Sequence, residues 1–111
     1  MNAVNRGPFE NAGDAVARWA AWIDELAEHP LDPLEWQFGM LECRDAVGYW
    51  VEATGDLAAA DLADEVDARF KDLTEHFDDG RYGDAAGSGW WWRQVPRDAD
   101  SRAYMTNYGR A

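Results

Sequence analysis

Apolar residues recur at helical spacing in three successive stretches of the chain. The first stretch begins at Asn11, which can cap a helix with Asp14 three residues on, and it stops before Pro30. The residue preceding a proline avoids helical geometry, so the stop is a physical one. The apolar stripe between these points consists of Val16, Trp19, Ile23 and Leu26. The pattern predicts an amphipathic helix.

The second stretch has the clearest start signal. Asp32 is placed as the cap, Pro33 as the first helical residue and Glu35 as the closing member of a capping box. Gly55 marks the C-terminal end. One apolar face holds Trp36, Met40, Cys43, Val47 and Trp50, and Leu34, Phe38 and Leu41 lie nearly opposite. A helix with two apolar faces belongs between two neighbours.

The third stretch runs from about Asp56 to Phe77, and its predicted buried stripe is Leu62, Val66, Phe70, Leu73 and Phe77. Five carboxylates form a predicted acidic face on the other side: Asp61, Asp64, Glu65, Asp72 and Glu75. Short connections favour antiparallel neighbours. The sequence therefore predicts a mainly α fold, an antiparallel three-helix bundle over residues 1–79 with the second helix in the middle.

After residue 79 the composition changes. The stretch GRYGDAAGSG has four glycines in ten residues and predicts a glycine-rich loop. WWWRQV and RAYMTNY then resemble strands joined by a turn at PRDADS, which predicts a short β-hairpin. We expect residues 80–111 to pack on the helices, so that the chain is one domain. A strand would point Trp90 and Trp92 to one side and Trp91 to the other, so we expect a partner or a second copy to cover the third ring.

The charge of the 111-residue chain is uneven. Residues 1–79 hold nineteen acids and five bases, residues 80–111 hold three acids and five arginines, and the net charges of −14 and +2 together give −12. A field of this sign repels nucleic acid and anionic lipid and attracts basic protein surfaces. Solubility or adaptation to high salt would account for the same acidity.

Candidate chemical groups are few. His29 lies four residues after Glu25 and His76 four after Asp72, whereas di-iron bundles place Glu and His three apart. Both histidines fall in the last turn of a predicted helix, where they suit free carbonyl groups. Cys43 lies on an apolar stripe, where a thiol behaves as a small hydrophobe. We predict no metal, no cofactor and no catalytic activity.

The predicted cellular compartment rests on the cysteine count and on two targeting patterns that the sequence does not show. A single cysteine excludes an intrachain disulfide and fits a reducing compartment. The N-terminal residues do not have the pattern of a signal peptide, and no apolar run reaches the length of a membrane span. We predict a cytoplasmic protein.

The charge and the aromatic composition of the predicted surface indicate that the protein binds a partner. The acids of the third helix could stand in for nucleic-acid phosphates, as in acidic inhibitors of CRISPR and restriction complexes, and the tail has the composition of an interface hot spot. The candidate tail contacts are Trp90, Trp91, Trp92, Arg93, Arg97 and Tyr104. We predict a non-catalytic inhibitor that docks on the basic surface of a nucleic-acid-binding complex. The alternatives are an antitoxin or immunity-like protein that binds through its tail, and a phage structural or assembly protein that self-associates, for example as a homodimer.

Overall fold

The computed structural model describes residues 8–76, residues 89–98 and Asp100. The helices are α1 (Ala12–Glu28), a π-helical segment (Glu35–Leu41) continuing into α2 (Glu42–Thr54), and α3 (Leu57–Leu73). Strand β1 (Thr74–His76), a 3-10 turn (Trp90–Arg93) and strand β2 (Gln94–Pro96) follow. The mainly helical prediction is confirmed, with a small two-stranded antiparallel sheet added. The predictions for Phe77, the glycine-rich loop, the RAYMTNY strand and Tyr104 lie outside the described residues.

The predicted helix starts are confirmed. The side chain of Asn11 accepts a hydrogen bond from the backbone N–H of Asp14 at 2.8 Å. Asp32 and Glu35 form the reciprocal capping box, with donor–acceptor distances of 2.8 and 3.1 Å. Gly55 ends α2 in the left-handed region at φ 65°, which a glycine adopts without steric cost.

The sequence does not predict the π-helical segment. The backbone N–H of Glu42 donates to the carbonyl of Gln37, five residues back. This wider turn brings residues five apart onto nearly the same side, so Trp36 and Leu41 are both fully buried. The expectation that Leu41 lies opposite Trp36 is therefore wrong.

Two of the three residues of the predicted second apolar face remain largely exposed. Leu34 is 60% exposed and Phe38 is 58% exposed. Helix α1 instead packs extensively against both α2 and α3, which share few contacts with each other. The first helix, not the second, therefore takes the central position, and it buries Val16, Trp19 and Ile23 while Leu26 is half-buried.

Helix α3 is shorter than predicted. It ends at Leu73, and Thr74 turns into an extended conformation while its hydroxyl donates to the carbonyl of Phe70 at 2.7 Å. Strand β1 then pairs antiparallel with β2, with Thr74 opposite Pro96 and His76 opposite Gln94. This pairing explains why the helix stops before the end of its apolar periodicity.

The buried side of α3 also differs from the predicted stripe. It consists of Ala59, Ala63, Val66, Asp67 and Phe70. Leu62 is 46% exposed and does not belong to it. Small alanine side chains therefore take two of the buried positions of α3, and the larger Leu62 stays at the surface.

The tryptophan run is a 3-10 turn, so the predicted strand is wrong over residues 90–93. Only the residues that follow form a strand, and their partner is β1 at the end of the third helix. We call residues 89–98 the tryptophan segment. In the described part of the chain, this segment packs on the helices.

Candidate functional site

Four of the five predicted acidic residues share an exposed face of α3: Asp61, Asp64, Glu65 and Asp72. We call these four residues the acidic face. They lie opposite the buried side of the helix, as the helical spacing predicts. From Asp61 to Asp72 the face extends about 16 Å at 1.5 Å per residue. Glu75 does not belong to it, because Glu75 lies on β1 and is half-buried.

The acidic face is not neutralised by the described part of the chain. None of its four carboxylates forms an ion pair with a described residue. The two cations of α3 are engaged elsewhere: Arg69 pairs with Asp24 on α1, and the Lys71 ammonium lies 4.5 Å from the ring centroid of Trp90. Within the described part of the chain, the four carboxylates are therefore exposed and not paired with a cation.

The three consecutive tryptophans have three different environments. Trp92 is 8% exposed and belongs to the hydrophobic core. Trp90 is half-buried, with its ring centroid 6.0 Å from that of Phe70. Trp91 is also half-buried and meets Trp90 edge-on at 5.7 Å. A strand would place the three rings on two sides, whereas the 3-10 turn directs each ring a different way.

Asp45 on α2 fixes two of these rings. Its Oδ1 accepts the indole N–H of Trp91 at 2.8 Å and that of Trp92 at 2.9 Å. Burial raises the pKa of Asp45, while the two indole hydrogen bonds and Arg44 act in the opposite direction. A Cβ on Gly89 would lie 2.3 Å from the Trp91 ring, so only glycine fits beneath that ring.

A second carboxylate ties the three helices together. Asp67 on α3 accepts the indole N–H of Trp19 and the Nε–H of Arg44, each at 2.9 Å. A second guanidinium nitrogen of Arg44 donates to the other oxygen of Asp67, also at 2.9 Å. Arg44 in turn lies over the Trp91 ring, 4.2 Å from its centroid. This network joins α1, α2, α3 and the tryptophan segment.

Sequence reasoning missed Asp45, Asp67 and Arg44. The helical spacing leaves Asp67 out of the acidic face and sets it beside Val66 and Phe70, which is a signal for a buried, paired carboxylate. It does not say which residue pairs with it, because Trp19 and Arg44 are 48 and 23 positions away.

The two described tail arginines differ in their surroundings. Arg97 donates through Nη2 to the carbonyl of Thr74 at 2.7 Å and to that of Lys71 at 3.3 Å. These bonds satisfy carbonyl groups where α3 ends. Arg93 is half-buried at the end of the 3-10 turn.

The candidate metal-binding and nucleophilic residues have simple environments. His29 donates to the carbonyl of Pro30, which raises its pKa, and lies 3.5 Å from Glu25. Cys43 is buried against the carbonyl of Ala15, and burial raises the pKa of its thiol to about 12. Across residues 8–76 and 89–98, no three His, Cys, Asp or Glu side chains are grouped to hold a metal ion.

No described helix combines the length and the apolar composition needed to cross a bilayer. Comparison of the chain with protein-family models, curated proteins and solved structures found no match.

Proposed function

We propose that this chain is a non-catalytic binding protein whose acidic face docks on the basic surface of a protein partner. The observation that carries the proposal is the set of four exposed α3 carboxylates without a cationic partner in the described structure. In its sharpest form, the partner is a DNA- or RNA-binding complex, and the chain is a nucleic-acid mimic of the anti-CRISPR or anti-restriction type.

Charge and rigidity support this form. A helix holds its carboxylates at fixed spacing, as a nucleic acid holds its phosphates, so little ordering is needed on binding. A chain with net charge −12 is also steered towards a cationic surface before contact. Direct binding of nucleic acid is disfavoured by the same field.

The tryptophan segment has a smaller part in the proposed interface than its composition predicts. Trp92 is committed to the core, whereas Trp90, Trp91 and Arg93 are half-buried and keep some exposed surface. We propose that these three residues form the rim of the interface. The antiparallel bundle and the cytoplasmic location belong to the same proposal.

The test compares two triple variants with the same change of net charge. In the first, Asp61, Asp64 and Asp72 become Asn. In the second, the control, three exposed acids on other parts of the chain become Gln: Glu10, Glu28 and Glu52. Each tagged chain is used to capture proteins from a lysate of the source organism, and captured proteins are assayed for DNA and RNA binding with and without the chain.

We expect the tagged chain to capture a nucleic-acid-binding protein and to displace the DNA or RNA bound to that protein. The face variant should bind about tenfold more weakly, since three exposed contacts of about 0.5 kcal/mol each amount to one decade of affinity. The control variant should bind like the wild type, and higher salt should weaken capture.

Two other results would replace the proposal. Salt-resistant capture of one small protein, lost when Trp90 and Trp91 are substituted but kept in the face variant, indicates an antitoxin or immunity-like protein. Capture of the chain alone, with a dimer or larger assembly in solution, indicates a structural component.

A further inference from the structure

A shallow cleft of about 400 Å³ lies where α3 and β1 meet the tryptophan segment. Its walls include Lys71 from α3, Trp90 from the 3-10 turn, and Arg97, which directly follows β2. Two of these side chains are cations, although the chain carries a net charge of −12. The cleft therefore has a local charge character opposite to that of the acidic face.

Lys71 is held in the cleft by an aromatic ring instead of a carboxylate. Its ammonium nitrogen lies 4.5 Å from the Trp90 ring centroid, and it forms no ion pair with a described residue. A cation on a ring face is attracted to the ring but still has N–H donors directed elsewhere. Those donors are suited to an anion.

Arg97 is fixed at the same place by backbone contacts. Its Nη2 donates to the carbonyls of Thr74 and Lys71, and its own backbone N–H donates to the carbonyl of Leu73 at 3.1 Å. No described carboxylate pairs with its guanidinium. These backbone bonds use Nη2, so the N–H groups on Nε and Nη1 are the donors that can each make a single hydrogen bond to an anion.

A buried amide stabilises the wall between these groups. Gln94 is 5% exposed; its side-chain nitrogen donates to the Thr74 hydroxyl at 2.9 Å, and its side-chain oxygen lies 3.1 Å from Nδ1 of His76. Glu75 also lines the cleft and offsets one positive charge. With two cations and one carboxylate, the walls remain net positive.

We propose that this cleft binds an anionic group, a carboxylate or a phosphate, between the Lys71 ammonium and the Arg97 guanidinium. Like charges that share a cleft repel each other, and an anion between them removes that repulsion. The acidic chain repels anions at long range, but salt at about 0.15 M screens charges beyond about 8 Å, so the short-range contacts decide. None of the residues that line the cleft belongs to the acidic face.

The test is a nuclear magnetic resonance titration of the full chain at about 0.15 M salt. Inorganic phosphate is added in one arm and acetate in the other, at constant pH and ionic strength. Saturable shifts of the Trp90 indole N–H and the Arg97 backbone N–H are expected in at least one arm. The arm that saturates at the lower concentration identifies the preferred anion class.

Three variants separate a site from general attraction. Lys71→Met should weaken binding roughly tenfold, the effect of losing one charged contact, while Lys71→Arg should retain it. Arg18→Met is the matched control, because it removes one exposed positive charge from α1, away from the cleft. Non-saturating shifts in both arms, wild-type binding in Lys71→Met, or equal weakening by Arg18→Met would overturn the proposal.

Discussion

Replacement of Asp67 by Ala tests whether the buried network holds the helices together. Asp67 and Arg44 have side chains that are only 10% and 12% exposed, and Asp67 also accepts the indole N–H of Trp19. The substitution removes the carboxylate and leaves a buried guanidinium and a buried indole N–H without their acceptor. Both groups must then recover water or remain unsatisfied.

The size of the effect can be worked out from these contacts. Removal of one partner from a buried ion pair costs about 3–5 kcal/mol, and a buried donor without an acceptor costs about 1–3 kcal/mol. The two losses overlap, because Trp19 and Arg44 share one oxygen of Asp67. We therefore expect Asp67→Ala to lower the free energy of unfolding by about 4 kcal/mol.

Urea unfolding followed by tryptophan fluorescence measures this loss. Asp64→Ala is the control, since it removes the same group from an exposed position of the same helix and should change stability by less than about 0.5 kcal/mol. The double variant Arg44→Met with Asp67→Leu should be more stable than Asp67→Ala, because it leaves no unpaired buried charge. A loss below about 1 kcal/mol for Asp67→Ala would refute the reasoning.

Three further predictions concern single positions. The folded pKa of Asp45 lies above its unfolded value, so its contribution to stability is present below the unfolded pKa and is lost as the pH rises through the folded pKa. Urea unfolding should therefore show Asp45→Asn gaining stability relative to the wild type between acidic and neutral pH; a constant difference contradicts this. Gly89→Ala should lower the thermal midpoint, at a cost of about 1–3 kcal/mol, because its Cβ meets the Trp91 ring; Gly13→Ala is the control, since Gly13 is exposed and its Cβ would meet only the Asn11 side-chain oxygen, at 3.3 Å. Cys43, with its thiol pKa of about 12, should react with a thiol reagent at pH 8 only as fast as the protein opens, and a rapid reaction would contradict its burial.

Local signals in the sequence determined where the helices begin and that Val16, Trp19 and Ile23 of α1 are buried. Caps act over three residues, so Asn11 and the Asp32–Glu35 box can be recognised without knowledge of the rest of the chain. The exposed position of the four α3 acids also follows from helical spacing alone. The role of these acids in binding a partner is our proposal.

Tertiary contacts decided the remaining features, because each depends on a neighbour far along the chain. The packing of the helices places Ala59 and Ala63, and not Leu62, on the buried side of α3. Pairing with β2 ends that helix at Leu73. These outcomes depend on distances between elements, which periodicity does not contain.

The tryptophan run shows the same division most clearly. The sequence alone identifies three large rings that cannot all face one surface. Their 3-10 geometry is tied to Asp45, which binds two indoles from 46 and 47 positions away. Composition thus determined that these large apolar rings must be shielded from water. Only the folded chain, which brings a buried carboxylate to them, decided which ring enters the core and which rings remain partly exposed.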